Sequence, residues 1–157
     1  MNRQRTVIRS IPVALIVAVM GCAAQESGGD SDRFPLAGAW EALEYELDSG
    51  PTYEVRGRIF FSETDWTVLF FVVDGEGEVR RGSAEGGTYT LVGSDLVFTH
   101  LYNLSQGTEL QGLPAAPLQM TARDGLGPTE PSTISIEGDR LEIHFPSGNA
   151  MRFARRR

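Results

Sequence analysis

Gly38-Ala39-Trp40-Glu41-Ala42-Leu43-Glu44-Tyr45-Glu46-Leu47 is the stretch on which the fold turns. Trp40 and Ala42 share one side of an extended chain, whereas Leu43, Tyr45 and Leu47 continue on the other. The alternation of a strand is present, but its phase changes partway. A bulge near Glu41 or Ala42, which adds one residue to one side of a strand pair, reconciles the two halves. Leu36 to Leu47 is therefore expected to form a first strand.

Outward from this stretch, apolar residues come in short runs separated by Gly, Asp, Ser and Pro, and none sustains a helical period. Many short strands are implied. The clearest are Tyr53 to Ser62, Trp66 to Val73, Thr88 to Val92, Leu96 to Leu104, Leu141 to Phe145 and Met151 to Arg155. Gly138-Asp139 and Ser147 to Asn149 sit between alternating runs, as tight hairpins require, so the last three strands are expected to form a meander. Glycine near Gly57 and in Gly75-Glu76-Gly77 is expected to relieve a bend or close a turn. Trp66 to Val73 is apolar on both faces, which fits a strand with core on one side and a neighbouring element or ligand on the other. Leu96, Phe98, His100, Tyr102 and Leu104 share one face of their strand. Ser105 to Pro131, with four prolines, reads as a long irregular stretch of the kind used for binding loops or insertions, with Leu118 to Thr121 as a short strand inside it.

Upstream of the strands, Arg3, Arg5 and Arg9 precede the apolar run Ile11 to Met20, which ends in Val19-Met20-Gly21-Cys22. An apolar run of about ten residues is half of what a bilayer-spanning helix needs. A cleaved signal explains it better. The segment resembles a bacterial lipoprotein signal peptide with its lipobox, and that resemblance implies cleavage after residue 21 and lipidation of Cys22. A multiply acylated cysteine would anchor the chain to the lipid bilayer without spanning it. Ala23 lacks the aspartate that favours inner-membrane retention in Gram-negative lipoproteins, so the outer membrane, facing the periplasm, is the expected location. Residues 22–33 carry no large apolar side chain and read as a flexible tether. The remaining 34–157, roughly 120 residues, is the usual size of one domain.

The chain has a formal net charge of -7, and removing residues 1–21 takes away three arginines and no acid, giving -10. An acidic surface lacks the clustered cations that phosphate backbones require, so nucleic acid is excluded as a partner. Cys22 is the single cysteine, so once it is lipidated the domain folds without disulfides.

Gly38-Ala39-Trp40 at the head of the first strand is similar to the G-x-W signature of lipocalins. Gly57-Arg58-Ile59-Phe60-Phe61, Gly87-Thr88-Tyr89 and Gly138-Asp139-Arg140-Leu141 likewise resemble segments of bacterial lipocalin-like domains. The resemblance implies an antiparallel up-and-down barrel of about eight strands with a small ligand in its mouth. It also implies a basic residue of the last strand packed across the tryptophan. Arg155, in phase with Met151 and Phe153, is placed for that role over Trp40, with Gly38 as its structural companion; Arg152 lies on the wrong face.

The sequence offers little catalytic chemistry. His100 and His144 fall on different strands; His144 alternates with Leu141, Ile143 and Phe145 and is expected to point outward. Ser83, Ser105 and Ser147 lack a nucleophile elbow, and no glycine-rich phosphate cradle is present. No cluster of His, Cys and carboxylates has metal-ligand spacing, so no metal, no cofactor and no enzymatic activity are expected. Glu44, Glu46, Asp74, Glu76 and Glu78 read as a solvated acidic face. Two readings remain. In one, Trp66, Phe70, Phe98, His100 and Tyr102 line a cavity for a small apolar ligand; in the other, the barrel exterior or the proline-rich loop contacts another envelope protein.

Overall fold

The computed structural model describes residues 34–156; the signal segment, Cys22 and the tether all lie outside the described residues. Nine strands run in order: β1 (Gly38–Glu46), β2 (Thr52–Phe61), β3 (Asp65–Val73), β4 (Val79–Val92), β5 (Asp95–Gly107), β6 (Ala116–Ala122), β7 (Thr129–Glu137), β8 (Arg140–His144) and β9 (Ala150–Arg155). Every pairing between them is antiparallel, and because β4 also pairs with β5 the sheet closes on itself. The ring has eight members, β1-β2-β3-β4-β5-β7-β8-β9, and closure leaves the ring without an edge. This is a closed, antiparallel up-and-down barrel of eight strands, the architecture that the resemblance implied.

β6 is the ninth strand and lies outside the ring. It pairs with the second half of β5, Tyr102 to Gly107, while β7 pairs with the first half, Asp95 to Thr99. β6 and β7 are thus successive stretches of one line along β5, interrupted by Arg123 to Pro128. The expected irregular stretch 105–131 is therefore more ordered than its prolines suggested; Pro117 is tolerated because, among the described residues, β6 pairs with β5 alone, and Pro131 because it precedes the part of β7 that pairs with β8.

The phase change in β1 is a register irregularity, between Glu41 and Glu44 against β2 and between Ala42 and Glu44 against β9. It turns Trp40, Ala42 and then Tyr45 and Leu47 toward the interior. A second irregularity between Gly86 and Gly87 leaves Leu101 as the extra residue of β5, since Gly86 pairs with Tyr102 and Gly87 with His100. Gly87 is required there, because a Cβ would lie 1.9 Å from the Thr99 carbonyl oxygen. Beyond Leu101 the phase of β5 inverts. Leu96, Phe98 and His100 face in, whereas Tyr102 and Leu104 face out, so Tyr102 does not share the face expected of it; its exposure is 56%.

β3 departs from expectation on its outer side as well. Trp66, Val68 and Val72 are buried, but Leu69 and Phe71 on the opposite face are exposed and no described element covers them. β4 is far longer than Thr88 to Val92, because Arg80 to Gly87 adopts strand geometry without strand-forming side chains, held between β3 and β5.

The core fills one end of the barrel. Leu36 and Trp40 are both fully buried there, with Phe61, Leu96, Phe98, Leu141, Ile143 and Phe153 around them. Trp40 Nε1 donates to the Leu36 carbonyl at 2.8 Å. Trp40 and Arg155 are cross-strand partners, and the guanidinium carbon stands 4.1 Å from the indole centroid. Arg155 also donates to the carbonyls of Ala37, at 2.9 Å, and Pro35, at 2.6 Å. The segment before β1 is thereby folded across the base, with Leu36 as its plug. Arg152, one residue off phase, points outward to Glu44, Glu46 and Glu142.

Candidate functional site

At the end opposite Leu36 the interior is not filled. A cavity of about 170 Å³ is lined by Tyr45, Ile59, Trp66, Val68, Phe70, Phe98, Phe145 and Met151, with Glu85, His100 and Glu130 on one wall. An apolar cavity of roughly 150 Å³ admits a molecule the size of benzene. A second chamber of about 170 Å³ adjoins it, sharing Tyr45 and Phe70 and adding Arg81, Ser83, Ser105 and Leu113.

Strand register explains which side chains meet. Across β3, β4 and β5, Trp66 pairs with Gly87 and Gly87 with His100. With no side chain between them, the two rings make edge contact, their centroids 5.1 Å apart. The next row, Val68–Glu85–Asn103, carries the first carboxylate, and the Phe98–Glu130 pair of β5 and β7 carries the second. Arg81 opposes Gly107, whose missing side chain leaves room for the guanidinium; it donates from Nη1 to the carbonyls of Thr108 and Pro114.

His100 is gripped from both sides. Nδ1 lies 3.0 Å from Glu85 Oε2 and Nε2 lies 2.9 Å from Glu130 Oε2. An ionised carboxylate only accepts, so the two ring nitrogens must both donate, and an imidazole with two N–H groups is the cation. The hydrogen bonds it donates to Glu130 and Glu85 accordingly raise the His100 pKa from 6.5 to about 9. Burial opposes ionisation of Glu85, yet the hydrogen bonds from His100 and from Ser83 Oγ, at 2.7 Å, outweigh it and hold the carboxyl below its usual value. Burial raises the Tyr45 phenol, whose oxygen accepts from Asn149 Nδ2 at 2.7 Å. Trp66 Nε1–H, fully buried, has no acceptor among the described residues.

Of the residues singled out from sequence, Trp66, Phe70, Phe98 and His100 are brought together on this cavity, and Tyr102 is excluded by the Leu101 bulge. His144 points to solvent beside Glu142. Glu44 and Glu46 bind Arg152 on the outer surface, and Asp74 caps the β3–β4 turn by accepting from the backbone of Glu76 and Glu78. Tyr45, Arg81, Glu85, Glu130 and Phe145 were not singled out for the cavity. The one available signal was the placement of Glu85 between small residues of a strand that must pass inside a closed barrel. Among the described residues no group of three His, Cys, Asp or Glu side chains is arranged to hold a metal ion.

Comparison with known proteins gives two structural likenesses. One is a lipocalin-like protein from Bacteroides uniformis, 15% identical, covering 77% of this chain and 98% of that one with a TM-score of 0.48. The other is a de novo designed fluorescence-activating β-barrel, also 15% identical, covering 81% and 98% with a TM-score of 0.40. No protein-family description and no curated protein matches the chain. The architecture rests on the strand pairing itself.

Proposed function

We propose that the protein is a non-catalytic binding protein of the cell envelope, anchored through a lipidated Cys22, whose barrel holds a small ligand with a largely apolar body. The observation that carries this reading is the difference between the two ends of the barrel interior. One end is packed around Trp40; the other is an aromatic-walled cavity with three polar side chains converging on it. Sites for small molecules have that composition.

Native mass spectrometry of the full chain, extracted gently from its own host, tests the reading. A co-purifying molecule of about one ring in size supports it; a bare barrel that also takes up no small-molecule probe overturns it. The anchor is tested separately, by fractionating a Cys22→Ser variant, which should leave the membrane.

A second reading, contact with another envelope protein, is favoured by the outer surface where β5 and β6 meet. Tyr102, Leu104, Leu118 and Met120 are exposed together beside the outer edge of β6, which pairs with no described strand. Apolar surface next to an unpaired strand edge is a usual place for a partner to add a strand.

A further inference from the structure

We propose that the cavity selects a small organic cation, about one ring in size, over an anion or a neutral molecule of the same shape; this rests on the ligand-binding reading above. The first support is the charge of the wall. Glu85 and Glu130 are both on the cavity and retain 23% and 32% side-chain exposure, while His100 retains 19%. One imidazolium is shared by two carboxylates, so the wall keeps one negative charge. His100 has no further N–H to give, since both nitrogens are engaged. It meets only one oxygen of each carboxylate, and the other oxygen of Glu85 already accepts from Ser83, leaving Glu130 as the carboxylate with room for an incoming donor.

The second support is the aromatic part of the lining. Trp66, Phe70, Phe98 and Tyr45 present rings to the same space, and the negative faces of aromatic rings attract ammonium groups. A cation seated there meets both carboxylate and aromatic rings. An anion would meet two carboxylates and an imidazolium whose N–H groups are both engaged, and would find a further cation only at Arg81, in the adjoining chamber, where Nη1 already donates to two carbonyls.

The third is independent of charge. Trp66 lines the cavity and its Nε1–H is buried without an acceptor. Buried donors are rarely left unpaired, and this one marks the cavity as a site completed by an occupant that brings an acceptor atom or an ordered water.

Three probes of matched size separate the classes: benzylammonium, ethylbenzene and benzoate, titrated calorimetrically into the full chain in detergent with micelles alone as the blank. Benzylammonium should bind at least about ten-fold more tightly than either of the others, as a desolvated cation–π and carboxylate contact implies. The preference should vanish in Glu130→Gln, with Glu85→Gln as the second variant should the first fail to fold by circular dichroism. Ethylbenzene binding as tightly as benzylammonium would overturn the charge selection while leaving the ligand-binding reading intact. Benzoate binding most tightly would overturn it too and move the polar contact to Arg81, which Arg81→Gln would then abolish. If none of the three binds, both this inference and the ligand-binding reading fail.

Discussion

The two ends of this barrel are built from the same eight strands by opposite rules. At the base, most inward positions carry large apolar side chains, a residue from outside the barrel is used as a plug, and the Arg155 cation is spread over an indole face and two carbonyls. At the other end, the inward positions of β4 and β5 pair Arg81 with Gly107, Ser83 with Ser105, Glu85 with Asn103 and Gly87 with His100, and space is left over. A closed barrel abolishes its edges by topology alone, so it does not need both ends packed. One end can carry stability while the other is released for binding.

The sharpest way to break this division is at the base. Trp40→Ala should cost about 3–5 kcal/mol in urea unfolding, because the cavity it leaves cannot collapse beneath Leu36 and Arg155. Phe98→Ala should cost a similar amount, although Phe98 borders the cavity, since its ring also packs at a tilt against Trp66, centroids 4.5 Å apart, and is 2% exposed. A Phe98→Ala variant with an unchanged melting temperature would mean that the base does not reach that far along β5.

Next in size is the pH response of the open end. His100 is raised above its unfolded value by Glu85 and Glu130, so the native state holds this proton more tightly than the unfolded chain does. Its contribution is complete below about pH 6.5 and is lost as pH rises toward 9, an effect of about 2–3 kcal/mol. His100→Gln should remove that alkaline slope while leaving the base untouched; a wild-type stability flat between pH 6.5 and 9 would contradict the charged imidazolium. Arg155→Met keeps the packing volume but loses the ring contact and both carbonyl bonds, and should cost about 1–3 kcal/mol. The smallest effect belongs to neither end: Met120→Gln, on exposed β6, should change stability by less than about 0.5 kcal/mol. A larger loss would show that β6 is part of the barrel's cooperative unit and not an appendage.

The base was legible in the sequence because it obeys alternation. The Gly38-Ala39-Trp40 head, the phase change before Leu43 and the in-phase Arg155 are local signals, and each has a direct structural counterpart. The open end was harder to read for a physical reason. Its polar residues lie on stretches that form strands only because neighbours hold them there, such as Arg80 to Gly87, whose propensities favour loops. Tyr102 was misplaced because the extra residue at Leu101 is visible only from the partner strand, through the close approach of Gly87 to Thr99. Glu130, flanked by Pro128 and Pro131, looked like part of a loop, although a barrel that closes through β5 and β7 must bring it opposite Phe98.

The fold of the segment from Pro35 to Ala37 across the base has a mechanical consequence. A pull applied through Phe34 does not meet a free strand end. It first loads two guanidinium–carbonyl bonds to Arg155 and the indole–carbonyl bond of Trp40, and only then reaches β1, which is zipped on both flanks to β2 and β9. Force entering at Phe34 is thus spread over the packed end before it can deform the hollow one.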